Sequence, residues 1–162
     1  MRPNLIASRA LVLTISLGVP WVSVARSNDP WFGTWKLNVA QSHYDSGPPP
    51  QSTTTKIEPW NGGVKFTVDT VSSDGETRHI EWSGKYGRKD NPVMGDPYAD
   101  TISIRRINGH TYETTTKKNG KVATLTTNVI SADGKTRTAT AIDKNAQLTQ
   151  GPSRNVAVFD RQ

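Results

Sequence analysis

The 162-residue chain has 33% hydrophobic and 21% charged side chains, which suits one domain with a modest core. Its 20 basic and 14 acidic residues give a formal charge of +6. Cysteine does not occur, which excludes a disulfide framework, a thiolate metal site, a cysteine nucleophile and a lipidated N-terminal cysteine.

Residues 1–25 read as a signal peptide. Arg2 and Arg9 make a basic start, Ala10 to Val19 is a short apolar run, and Ser23-Val24-Ala25 puts small residues where a signal peptidase reads them. A run of about ten apolar residues falls far short of the roughly 20 that span a bilayer. The expected mature chain, 26–162, is therefore a single periplasmic or secreted domain without an integral membrane segment. Losing Arg2 and Arg9 lowers its formal charge to +4.

The first strand is expected over 33 to 40, with Trp35, Leu37 and Val39 on one face and Thr34, Lys36 and Asn38 on the other. Gly47-Pro48-Pro49-Pro50 then removes backbone donors and makes a loop. Beyond it, Asn61-Gly62-Gly63, Asp74-Gly75, Asn108-Gly109, Asn119-Gly120 and Asp133-Gly134 are hairpin signals, since these pairs accept the positive φ of tight turns. Runs such as Thr53-Thr54-Thr55 and Thr114-Thr115-Thr116 suit a pleated surface with one wet face. Further strands are expected over 51–59, 64–72, 76–86, 89–94, 100–107, 110–117, 121–131, 135–143 and 154–161. Pro92 demotes the fifth to an edge or a loop. With that strand the number is even, so the first and last strands close antiparallel. The turns at 61–63, 87–88, 108–109 and 132–134 then share the Trp35 end, and the loops 41–50, 95–99 and 144–153 share the other. The fold class expected is all-β, an antiparallel up-and-down barrel of about ten strands with one mouth.

The Gly33-x-Trp35 pair, preceded by Phe32 and opening the first strand, resembles the start of the calycins, the superfamily of lipocalins and intracellular fatty-acid-binding proteins. Closing the last strand on the first brings Arg161 to Trp35, which is similar to the basic residue over the lipocalin tryptophan; Arg106 competes for that role. The resemblance implies a barrel closed by Trp35, an exported bacterial-type member, and a small apolar ligand in the interior. Two features depart from it. The Arg-x-Tyr carboxylate clamp of the last strand in fatty-acid-binding proteins is replaced by Ala157-x-Phe159, and their two short helices by the proline loop.

No catalytic constellation stands out. His43, His79 and His110 lack metal-ligand spacing and read as surface residues. There is no Gly-x-Ser-x-Gly elbow. Glu58, Asp69, Glu81, Glu113 and Asp143 lie on polar strand faces or strand ends. The basic residues are dispersed without interleaved aromatics, which argues against nucleic acid. Arg78 shares a face with Ile80, Trp82 and Tyr86 and starts its strand at the open end, where it would meet an acidic head group or lay its stem on apolar surface.

The sequence thus predicts a monomeric, non-catalytic binding protein or carrier for a small apolar or amphiphilic molecule, with no cofactor and no metal. By parity, its ligand-binding residues are Phe66, Arg78, Trp82, Ile104, Tyr112 and Phe159, with Tyr44 and Tyr98 on rim loops. Gly33, Trp35 and Arg161 form the structural motif. The alternative is a ligand-free envelope module that binds a protein or polysaccharide through its basic surface; a filled interior would favour it.

Overall fold

The structure is a computed structural model that describes residues 29–45, 47–87, 89–144 and 153–162. The expected signal peptide lies outside the described residues. Among the described residues, eleven strands form one antiparallel sheet: β1 (Gly33–Leu37), β2 (His43–Tyr44), β3 (Ser52–Trp60), β4 (Gly63–Val71), β5 (Thr77–Gly84), β6 (Asn91–Pro92), β7 (Thr101–Arg106), β8 (Thr111–Lys118), β9 (Lys121–Ile130), β10 (Thr136–Asp143) and β11 (Ser153–Arg161). Their order around the wall is β5-β4-β3-β1-β11-β10-β9-β8-β7-β6, with β2 also on β11. This is the all-β, antiparallel meander barrel expected from the turn spacing.

Turn chemistry sets the hairpins. Asn61 (φ 43°) with Gly62 (φ 75°), and Asn119 (φ 50°) with Gly120 (φ 74°), take the two positive φ values of a type I′ turn. At Asp74-Gly75 and Asp133-Gly134 only the glycine is positive, at φ 90° and 70°. The Asn108-Gly109 expectation of positive φ is corrected, because neither residue takes it. There the Thr111 carbonyl accepts from the Ile107 and Asn108 amides (2.9 and 3.3 Å), and Asn108 Oδ1 accepts from the His110 amide at 2.9 Å.

The first strand is shorter than its apolar alternation predicts. It ends at Leu37, and Val39, expected on the core face, sits in a 3-10 turn (Val39–Gln41) with 37% of its surface exposed. Asn38 causes the interruption: its side chain accepts the Gln41 amide at 3.2 Å, while its Nδ2 donates to Asp160 at 2.8 Å. Ser42 resumes the path, donating to the Asn38 carbonyl (2.7 Å) and accepting the Val158 amide (3.0 Å). The chain then pairs with β11 again as β2, with Tyr44 opposite Asn155. Tyr44, expected on a rim loop, is thereby a strand residue of the wall.

The weakest seam lies between β5 and β7. The fifth expected strand, 89–94, is reduced to β6, which pairs with β7 through Asn91 and Pro92. Proline has no amide to offer a second neighbour. Among the described residues, closure onto β5 rests on one bridge, in which Glu81 and Met94 exchange amide-to-carbonyl hydrogen bonds of 3.1 and 3.0 Å, and on the Gly87 amide, which donates to the Ile104 carbonyl at 2.7 Å.

The closed end is filled by Trp31, Trp35, Ile57, Val64, Ile104, Tyr112 and Ile130, each at most 2% exposed. Trp31, which precedes the first strand, stacks on Tyr112 with centroids 4.5 Å apart and planes 17° apart. Its carbonyl accepts from Trp35 Nε1 at 3.1 Å. Two tryptophans therefore form the floor where the sequence reading assigned one.

Arg161 locks this end. Trp35 and Arg161 are register partners on β1 and β11, and the guanidinium carbon lies 4.2 Å from the indole centroid. Its Nη1 donates to the Phe32 carbonyl at 2.7 Å, its Nη2 to that of Pro30 and its Nε to that of Gly134. Gly33 adopts φ 145°, and a Cβ there would lie 2.4 Å from Arg161 Nη1. The glycine and the arginine thus require each other. Arg106, the competing candidate, instead pairs with Asp29 at 3.3 Å and lies 5.7 Å from the Tyr112 ring centroid.

Candidate functional site: a cavity with a buried arginine

Above the floor the barrel encloses a cavity of about 320 Å³. Strand alternation decides which side chains line it, and three compositions meet there. One wall is apolar and aromatic: Phe66 and Val68 from β4, Trp82 from β5 and Ile102 from β7. Phe66 and Trp82 stack with centroids 5.3 Å apart and planes 18° apart. The facing strands contribute Ala139, Ala141 and Ala157, whose small side chains leave the space unfilled. Between these lies a polar strip formed by Thr53 and Thr55 on β3, Thr114 on β8, and Thr126 and Asn128 on β9. Tyr44 and Asn155, register partners on β2 and β11, line the far layer; burial raises the Tyr44 phenol above its usual range.

Arg137 is the residue that sequence reasoning missed. It lines the cavity from β10 and is 3% exposed. Its Nη1 donates to Asn128 Oδ1 at 2.9 Å and its Nη2 to Thr55 Oγ1 at 3.2 Å, while Nε, also buried, has no partner. The guanidinium carbon lies 3.9 Å from the Phe159 centroid and 5.9 Å from those of Trp31 and Trp35. Among the described residues no carboxylate pairs with it, and burial pushes it down to about 9, which leaves it charged at neutral pH. The signal was present in the alternation of Arg137, Ala139 and Ala141 against Thr136, Thr138 and Thr140, which puts the arginine on an alanine face.

The residues selected by parity divide. Phe66, Trp82, Phe159 and Tyr44 line the cavity. Ile104 and Tyr112 are corrected to the floor beneath it, because the tryptophan layer occupies the space they were expected to border. Tyr112 donates to the Asp29 carboxylate, and burial first, then that carboxylate, raises its phenol. Arg78 and Tyr98 are not among the lining residues; the guanidinium lies 5.2 Å over the Tyr98 ring, and Tyr98 is 45% exposed.

The outer surface is a set of paired charges. Lys65 bonds Glu81 at 2.8 Å, Lys56 bonds Glu58 at 2.9 Å, Arg105 pairs with Glu113, and His79 Nδ1 bonds Asp69 at 2.6 Å. Among the described residues no group of three or more His, Asp or Glu is arranged to hold a metal ion. Nor is any helix among them long and apolar enough to cross a membrane.

Fold and site together define a meander barrel with an amphipathic interior cavity. No protein-family model and no curated protein matches the chain. Among solved structures, the crystal structure of the zebrafish ileal bile acid-binding protein complexed with cholic acid is similar, with a TM-score of 0.48 and 12% identity over 82% of this chain and 99% of that one.

Proposed function

We propose that the protein binds and carries a small, largely apolar molecule without changing it chemically. On the leader-like first 25 residues, it does so as a periplasmic or secreted monomer. The observation that carries this reading is the cavity of about 320 Å³, at the lower edge of ligand-pocket sizes. Its aromatic wall would take an apolar body, and the threonines beside it would take hydroxyl or carbonyl groups. A barrel meant only to present its outer surface has no use for Ala139, Ala141 and Ala157 inside, since larger side chains there would add core burial.

The test is saturable binding of an uncharged, polarity-sensitive aromatic probe, followed by its fluorescence and by quenching of Trp82. Ala157→Leu should fill the cavity and weaken the probe at least tenfold while leaving the fold intact by circular dichroism. If the parent protein binds no probe at any concentration below its solubility, the ligand-free module is the better reading.

A further inference from the structure

Arg137 is out of place in a structural core. A buried guanidinium is usually held against a carboxylate, because its attraction to one offsets the loss of hydration. Among the described residues the partners are one amide oxygen, one hydroxyl and the face of Phe159, and the Nε–H is left without one. These contacts fix the plane of the group without neutralising it. The residue borders the cavity while its guanidinium packs on Phe159. A planar fork of donors, held rigid and unneutralised at the deep end of a cavity, matches an anionic oxygen pair.

Geometry limits what that anion carries. On β10 the inward residues run Arg137, Ala139, Ala141, so the lining extends about 13 Å from the arginine layer, at ~3.3 Å per residue. A volume of about 320 Å³ is that of roughly ten water molecules. The Phe66–Trp82 pair offers one flat wall beside this column.

Resting on the carrier reading above, we propose that the ligand is a compact organic carboxylate of about ten to fourteen non-hydrogen atoms, seated head-inward with its carboxylate on Arg137 and its flat apolar body against Phe66 and Trp82. Arg137 is on β10, beside the last strand and not on it, so this anchor is distinct from the clamp position that Ala157 and Phe159 occupy. Arg78, at the mouth, plays no part in holding the anion.

The experiment compares 2-naphthoate with 2-naphthylmethanol, which share a body and differ in charge, by isothermal titration calorimetry on the purified protein. The parent should favour naphthoate by on the order of 10- to 100-fold, the range of one or two charge-assisted hydrogen bonds. Arg137→Met should abolish that preference while retaining the alcohol, and Arg78→Gln should leave it unchanged. Equal affinity of the parent for the two compounds would overturn the anion site and leave the carrier reading standing. Failure of both to bind would overturn the two together. A preference abolished by Arg78→Gln and kept by Arg137→Met would move the site to the mouth and refute the head-inward pose. Should Arg137→Met fail to fold, the comparison in the parent and in Arg78→Gln still decides.

Discussion

Replacing Gly33 by alanine tests the lock at the closed end through two separable costs. The first is local: Gly33 adopts φ 145°, and placing a side chain at such a backbone costs about 1–3 kcal/mol. The second is a collision, since the new Cβ would lie 2.4 Å from Arg161 Nη1. Moving the guanidinium surrenders its hydrogen bond to the Phe32 carbonyl, weakens that to Pro30, and lifts it off Trp35. One charge-assisted bond and the cation–π contact together amount to about 2–4 kcal/mol. Gly33→Ala should therefore destabilise by on the order of 3–7 kcal/mol, a large part of the ~5–15 kcal/mol typical of a domain. In an Arg161→Met background the collision is largely relieved, and the same substitution should cost only its backbone share. Urea unfolding of the four proteins of this cycle, compared at constant m-value, measures the coupling. We expect a coupling of about 2 kcal/mol or more; losses that add to within ~0.5 kcal/mol would mean that the glycine and arginine act independently.

Two further outcomes follow from the floor and its tyrosines. Trp31→Ala should cost about 3–5 kcal/mol by urea unfolding, because it removes a fully buried aromatic stacked on Tyr112; Trp60→Ala, at a residue 40% exposed, should cost much less, and equal losses would refute the two-tryptophan floor. Burial raises the Tyr86 phenol to about 12 and the Tyr112 phenol further, the Asp29 carboxylate adding to both. Because both native values lie above the ordinary 10.0, their contribution to stability is complete below pH 10 and declines as pH rises through 12. Arg137, which burial lowers to about 9, acts with the opposite sign at alkaline pH, so a melting curve would blend the two effects. Ultraviolet phenolate absorbance separates them: the native chain should ionise later than the urea-unfolded chain, and Tyr112→Phe should remove the latest step. Coincident native and unfolded titrations would contradict the burial.

The meander barrel was legible because its signals are local. Asn-Gly and Asp-Gly pairs fix reversals within four residues, and period-2 alternation assigns each side chain to a face once the strand is known. That logic reached Trp82, Phe66 and Phe159 inside and correctly put Arg161 over Trp35, since closing an even-stranded barrel leaves one possible neighbour for the last strand. Asn38 defeated it. Whether its side chain caps a 3-10 turn depends on Asp160 and Val158, more than a hundred residues away, and that turn decides that Val39 is exposed and Tyr44 is in the wall.

Parity gives the face of a residue but not its depth. Ile104, Tyr112, Trp82 and Arg137 all point inward; only the tertiary stagger of the strands separates those under the tryptophan layer from those above it. The sequence by itself determined the main strands, the meander order and a place for Arg161 beside Trp35, because turns and alternation are properties of neighbouring residues; it missed β2 and left Arg106 competing for that place. The tertiary structure alone decided that alanines from β10 and β11 face Phe66 and Trp82 across unfilled space, and that Arg137 borders it with no acidic partner among the described residues. A cavity is the part of the interior that no side chain reaches, so it depends on side chains from strands distant in the chain and is written in no single segment of it.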